Sequence, residues 1–447
     1  MSSFNHSIRN FITKLVVSGV AFLIFLCIPK LLGPELFGIF SFQTAFVGLL
    51  IPLNSFGFGS GIVYLLSSNK YVVTEVSNTI LRLAFVIAII NGALVSILYN
   101  LGFLQSFVAS INANQMVYFS LAIFCQSLSF ILGRLFYGNS DFKILNRIEI
   151  SISLLNPILL IALFFLLGSA DATFLYISFL GASLIGFLLH AYFARRFWNR
   201  KEYNKEFVKA ASSYGMQSWP GDLAVRANLR MDQLILISFS SASALGVYNI
   251  AVKLVELVWL IPDAIGPVLF NRIAKQEQSE ESLALIARLH RLLLSFSLAL
   301  LIFLALITYY IIIPFFLGTD YSAMMIPLVL LIPGSLFLIS SKIFTKLFSA
   351  TGQVKWTSQI SIIGALVSLV GYFLLIPMWG MQGAAIASTI GYFCLSAAGW
   401  ILLVKNYPIH LLDFFDIRLD DWIWLFSNLK QWYRSNLTIQ INADERI

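Results

Sequence analysis

Long apolar runs alternate with short polar breaks along the whole chain. Twelve runs come close to the roughly 20 residues that a helix rising about 1.5 Å per residue needs to cross a bilayer. They are 12–30, 38–58, 77–99, 115–137, 145–168, 172–193, 212–238, 244–268, 288–313, 323–345, 357–377 and 380–403. The expected form is helical, because a helix satisfies its own backbone groups in lipid. The short alternating segments of a membrane barrel do not occur in the sequence. The pattern therefore predicts an all-α membrane protein with twelve transmembrane helices.

The breaks between runs are not alike. Alternate loops are rich in Lys and Arg, and such loops stay in the cytoplasm. The loop after span six, RRFWNRKEYNKEFVK, carries Arg195, Arg196, Arg200, Lys201, Lys205 and Lys209. Lys143 and Arg147 follow span four, and Arg272 and Lys275 follow span eight. Of the opposite loops, 100–114, 239–243 and 378–379 carry no charge, and Lys30 is the basic residue on that side. Both termini are thus expected in the cytoplasm. Arg9 and Lys14 ahead of the first run imitate a signal peptide, but IPKLLGPELFG offers no small-residue cleavage site, so a retained span is predicted.

Composition agrees. Of 447 residues, 59% are hydrophobic and 11% charged, against about 25% charged in a soluble chain. A soluble particle of this make-up would lack polar surface to cover it. Cys27, Cys125 and Cys394 lie far apart in apolar runs, which excludes a disulfide framework or a metal cluster. No cofactor, metal or nucleic-acid site is expected.

Two stretches repeat. GIFSFQTAFVGLLIP from Gly38 resembles GVYNIAVKLVELVWLIP from Gly246 at an offset of 208, and RLFYGNSDFK from Arg134 resembles KLFSATGQVK from Lys346 at an offset of 212. A duplicated unit of six spans would begin both halves on one side of the membrane. The halves would then be related by a pseudo-two-fold axis along the membrane normal, with a binding site between them. The expected organisation is a first lobe over 1–194, a cytoplasmic linker over 195–210, a second lobe over 211–404 and a cytoplasmic tail over 405–447.

Charges inside the spans are the candidate chemistry. Asp222, Arg226 and Arg230 share one face of span seven at helical spacing. Asp222 can pair with Arg226, whereas Arg226 and Arg230 repel unless an anion lies against both. A cation in mid-membrane costs several kcal/mol against lipid and normally faces a wet cavity. A phosphate or diphosphate between two guanidinium forks fits that geometry. Asp232 points away and needs a separate partner. Lys253 and Glu256 form an i, i+3 pair on span eight, and Lys14 matches Asp222 by the offset of 208, which places cations on both walls. The competing reading is that these charges neutralise one another in a protein-filled interface.

Other features read as structural. GFGSG at 57–61 lacks the lysine and strand of a phosphate loop, and Gly57 and Gly61 suit a close helix contact. Pro262, Pro267, Pro327 and Pro333 are expected to kink their helices. In the tail segment DDWIWLFSNLKQWYR, Leu419, Trp422, Phe426, Leu429 and Tyr433 form an apolar stripe with charges opposite, as in a helix lying on the inner leaflet.

The segments KLLGPELFGIFSF, SFGFGSGIVYLL and RMDQLILISFSSASALGVYNIAVKLVELVWLIPDAIGPVLF resemble bacterial polysaccharide repeat-unit flippases, of which the O-antigen flippases are best known. These belong to the multidrug/oligosaccharidyl-lipid/polysaccharide exporter superfamily. The resemblance covers most of residues 10 to 404 and identifies a family better than a substrate. It implies two lobes around a central cavity and transfer of undecaprenyl-diphosphate-linked sugars across the bacterial cytoplasmic membrane by alternating access. It also implies the lipid-linked oligosaccharide and membrane lipid as partners, with a polysaccharide polymerase as a further one. On this reading Arg226 and Arg230 hold the diphosphate or an acidic sugar. Arg230 and Asp232 carry over from the RMDQ segment, while Lys14, Asp222, Arg226, Lys253 and Glu256 rest on position.

An ion-coupled drug or cation antiporter of the same superfamily is the alternative, although it would favour carboxylates in the cavity. A membrane enzyme such as a polymerase or ligase would need a sizeable outer loop with acid/base or metal-binding groups, and none is present in the sequence. A scaffold leaves the mid-span arginines without a reason.

Overall fold

The computed structural model describes residues 2–108, 111–168, 171–199, 201–275, 280–407, 411–416, 418–424 and 427. Side chains are described for these residues except 2–25, 167, 264, 267–275, 280–282, 354 and 411. The described residues form helices joined by short turns, with no strand among them.

The helices are α1 (Ser2–Asn54), α2 (Phe58–Ser67), α3 (Val73–Asn100), α4 (Ala113–Gly138), α5 (Phe142–Leu167) and α6 (Ala172–Ala194) in the first half. The second half has α7 (Lys205–Phe239), α8 (Ala242–Lys275), α9 (Glu280–Ile307), α10 (Met325–Ala350) and α11 (Val354–Asn406). A π-helical stretch, Thr308–Leu317, extends α9. Local signals set several starts. Asn112 and Gln115 form a reciprocal capping box at α4, with bonds of 2.9 and 3.0 Å. Asp171 caps α6 through the Phe174 N–H, and Asn204 caps α7 through the Phe207 N–H.

The twelve expected ranges fall largely on helix, with 38–58 crossing a turn at 55–57, and among the described residues nine stretches are long and apolar enough to cross a membrane. One of the nine, Lys355–Asn406, runs 52 residues and is two helices meeting at Gly380 (φ 54, ψ −126). Span seven carries four charges, Asp222, Arg226, Arg230 and Asp232, and is not among the nine. The side chains of much of span one lie outside the described residues.

Among the described residues, two long helices break at glycines. α1 breaks at Gly33 (φ 71, ψ 170), directly before Pro34, where the proline ring disfavours the helical region for its predecessor. Span two ends at Asn54, turns through Gly57 (φ 72) and continues as α2 to Ser67, well past the expected boundary at 58. α8 and α10 stay helical through Pro262, Pro267, Pro327 and Pro333.

Packing divides into two groups. α4 lies against α2, α3 and α6, while α10 lies against α8, α9 and α11, and α7 lies against α11. The groups join where α1 crosses α8 and where α2 crosses α7. Small residues make both crossings close. A Cβ on Gly38 would lie 1.7 Å from the Ala242 carbonyl oxygen, and one on Gly246 would lie 2.1 Å from that of Pro34. At α2 and α7, a Cβ on Gly57 would lie 2.1 Å from the Gly215 oxygen and one on Gly61 would lie 2.0 Å from the Ala211 oxygen. GFGSG is therefore a helix contact.

The tail departs from expectation. Asp421, which should face water opposite an apolar stripe, is buried and bridges Arg288 (3.0 Å) and Arg291 (2.6 Å) of α9. The two arginines provide a stronger partner than solvent for a carboxylate leaving water. Trp422 packs on Phe296, and Leu419 is 81% exposed. Phe426, Leu429 and Tyr433 lie outside the described residues.

Candidate functional site

A cavity of about 550 Å³ opens between α1, α4, α5 and α6, with one residue of α7, Arg226, reaching its wall. Two guanidinium groups meet there. Arg134 of α4 lies 4.7 Å from the centroid of the Phe130 ring, and Arg226 lies 6.0 Å from the same centroid. Cations over an aromatic face gain from its negative quadrupole. Both arginines line this cavity and the small pocket beside it. Neither makes a salt bridge among the described residues.

The position of Arg134 has a local cause. Its stem runs over Gly59, where a Cβ would come within 3.1 Å of the Arg134 Cγ. In the second half, the Lys346 stem lies over Gly266 in the same manner, at 3.0 Å. Arg134 and Lys346 are the paired residues of the sequence repeat.

The sequence-predicted residues separate into three places. Arg226 faces the cavity. Asp222 sits at the neighbouring small pocket and accepts a hydrogen bond from Ser60 at 2.8 Å, with no salt bridge to Arg226. Arg230, Lys253 and Glu256 form a second cluster, in which Arg230 donates to Glu256 at 2.8 Å and Lys253 donates to its other oxygen at 2.6 Å. Glu256 offsets part of the repulsion between Arg226 and Arg230, although it is shared with Lys253 and the triad keeps one net positive charge. Asp232 stands third, buried, and accepts from the Tyr248 hydroxyl at 2.8 Å. Its other oxygen, Oδ1, has no hydrogen-bond partner among the described residues. The Lys14 side chain lies outside the described residues.

Arg134 is the cavity cation that the span-by-span reading missed. Its signal was present in the repeat, as a basic residue ending an apolar run. Polar groups complete the wall: Glu149 and Asn156 of α5, His190 of α6 and Gln126 of α4. His190 Nδ1 donates to the Gly186 carbonyl at 2.9 Å, and the buried Asn156 Oδ1 has no partner among the described residues. Such a wall combines cations for an anion with groups that can hydrogen-bond hydroxyls or amides. Among the described residues, no three His, Cys, Asp or Glu side chains cluster as metal ligands do.

The described residues thus form a bundle of apolar, membrane-spanning helices with an arginine-lined hollow, and comparison with known proteins places it in a family. The family described as "Polysaccharide biosynthesis protein" matches residues 6–275, more than half of the chain. The chain belongs to this family. It is 26% identical over 206 residues to an uncharacterized membrane protein of Methanocaldococcus jannaschii, a match over 45% of this chain and 40% of that relative's length. In fold it is similar to a lipid II flippase, MurJ, in an inward closed conformation (TM-score 0.66, 17% identity, 92% of this chain and 91% of that one). It is also similar to a multidrug resistance MATE family transporter of the MOP superfamily, inward-facing (TM-score 0.63, 13% identity, 86% and 93% of the chains).

Proposed function

We propose that this protein is a flippase that carries undecaprenyl-diphosphate-linked oligosaccharide repeat units across the bacterial cytoplasmic membrane by alternating access, for O-antigen or related surface polysaccharide. The observation that carries the reading is the pair Arg134 and Arg226, two guanidinium groups from different halves that share one cavity and the Phe130 ring. Two guanidinium groups inside a membrane protein, with Asp222 and Glu149 nearby but no salt bridge to either among the described residues, gain from an anion that joins them. A diphosphate offers several acceptor oxygens to two planar forks. Glu149, Asn156 and His190 of the same cavity then face the sugar, while Arg230, Lys253 and Glu256 form an ion cluster outside its lining. The family supports the pathway, since its description names polysaccharide biosynthesis.

The same reading takes 1–194 and 211–404 as the two moving lobes, 195–210 as the linker and both termini as cytoplasmic, in accord with the basic loops. A drug or cation antiporter is the second reading. It draws on Asp232, a buried carboxylate with an unpartnered oxygen.

The test is a deletion strain complemented with Arg134→Ala/Arg226→Ala. Surface polysaccharide should be lost while the variant stays at normal abundance in the membrane. Normal polysaccharide accompanied by restored drug sensitivity would instead establish the antiporter.

A further inference from the structure

A second hollow, of about 620 Å³, lies on the outer flank of the second half, between α10, the last part of α11 and the tail. Its walls are Phe337, Phe393, Trp400, Val404 and Phe415, and its one charged residue is Lys405. It shares no lining residue with the Arg134–Arg226 cavity. We propose that this groove holds one chain of an anionic phospholipid from the leaflet on the tail's side, with the lipid phosphate against Lys405.

Three observations converge on that occupant. The first is length. Phe393 and Lys405 are 12 positions apart on an unbroken helical stretch. At about 1.5 Å per residue that spans roughly 18 Å. Half of a hydrocarbon core of about 30 Å is roughly 15 Å, so the groove is about as long as one leaflet is thick. The second is charge. Lys405 lies one residue before the end of α11, is exposed, and makes no ion pair among the described residues. A cation at the end of an apolar trough as long as one leaflet is thick sits at headgroup level, where it attracts an anionic lipid.

The third is that the groove's last wall is built and fixed. Phe415 comes from the tail and packs on Trp400 with ring centroids 5.0 Å apart. The adjacent Phe414 is held by His290 Nδ1, which donates to its carbonyl at 3.0 Å. Asp421 pins the same segment to Arg288 and Arg291. An apolar trough at bilayer depth fills with a chain, because water there would lack partners. A long polyprenyl carrier is the poorer occupant, since the trough ends after the length of one leaflet and does not reach the guanidinium pair.

The test is native mass spectrometry of the full chain released from nanodiscs of equal phosphatidylglycerol and phosphatidylcholine. The wild type should keep phosphatidylglycerol in preference. Lys405→Ala, an exposed change that leaves the core intact, should lower that preference about fivefold, the worth of one lysine near an anionic surface. Ala397→Trp, which fills the trough, should lower retention of both lipids. Equal retention of the two lipids by the wild type and by Lys405→Ala overturns the proposal. So does displacement of the retained phosphatidylglycerol by added polyprenyl phosphate.

Discussion

Asn249 of α8 donates its side-chain N–H to the Ser41 hydroxyl of α1 at 2.7 Å, and the two residues are 208 positions apart. That is the offset relating Gly38 to Gly246. It also relates Pro34 to Ala242, so the backbone contacts Gly38–Ala242 and Gly246–Pro34 are reciprocal. Reciprocal contacts, with equivalent positions touching at the centre, are what a two-fold axis imposes. The pseudo-two-fold axis that relates the two repeats therefore passes through the crossing of α1 and α8. Gly246→Val should lower the thermal unfolding temperature of the purified protein, at a cost of about 3 kcal/mol or more, since backbone oxygen cannot yield as a side chain can. Gly48→Ala, on the crossing partner α1 with nothing within 4 Å of the new Cβ, should leave stability unchanged or slightly raised.

The shared Phe130 face makes Arg134 and Arg226 sensitive to shape as well as charge. Arg226→Lys keeps the charge and loses the planar fork, so surface polysaccharide should fall about tenfold at equal membrane abundance. Phe130→Leu removes the ring under both cations, a loss of about 1 kcal/mol at each, and should reduce output several-fold. Wild-type output from Arg226→Lys would show that charge alone suffices, and the diphosphate clamp would lose its geometric basis.

The helices were legible in the sequence because hydropathy and Lys/Arg placement act over whole segments, and a missed cap shifts a boundary without erasing a span. Gly57 and Gly61 were legible as a contact because i, i+4 spacing suffices to place both on one face. The Lys253–Glu256 pair was legible for the same reason. Arg134 was not assigned to the site, since its partner Arg226 lies in the other half and joins it only when α2 packs on α7. In the sequence Asp421 looks like a solvent-facing charge, because its partners, Arg288 and Arg291, are more than a hundred residues upstream. Periodicity reports which face a residue occupies, and only tertiary packing decides what that face meets.

Glu256 separates structural charge from binding charge. It accepts from both Arg230 and Lys253, so Glu256→Gln strands two cations in a largely buried place. The loss should be about 3 kcal/mol, read as a lowered unfolding temperature in detergent. Adding Arg230→Gln to that variant removes one stranded charge and should recover part of the stability. The double variant should also support polysaccharide output, whereas Arg226→Ala at full stability should not. A double variant no better than Glu256→Gln alone would mean that Arg230 is not paired chiefly with Glu256.

The tail's hold on α9 should depend on pH with a definite sign. Burial disfavours the charged form of Asp421, but hydrogen bonds and charge from Arg291 and then Arg288 outweigh it and keep this carboxyl below its ordinary value of 3.8. A group whose folded value is depressed stabilises the folded form above the ordinary value and loses that contribution as pH falls through the folded one. Tail docking should therefore be constant from neutral pH down to about 4 and weaken below 3.8. Limited proteolysis after α11 reads this directly, with cleavage rising only in the acid range. Asp421→Asn removes the charge at every pH, so its tail should be cut faster at neutral pH, by an amount equivalent to about 2 kcal/mol for hydrogen bonds to charged groups. Its residual pH dependence in the acid range should be flatter than that of the wild type. If both proteins gained cleavage in parallel on acidification, another titrating group would be releasing the tail and the Asp421 bridge would not be its anchor.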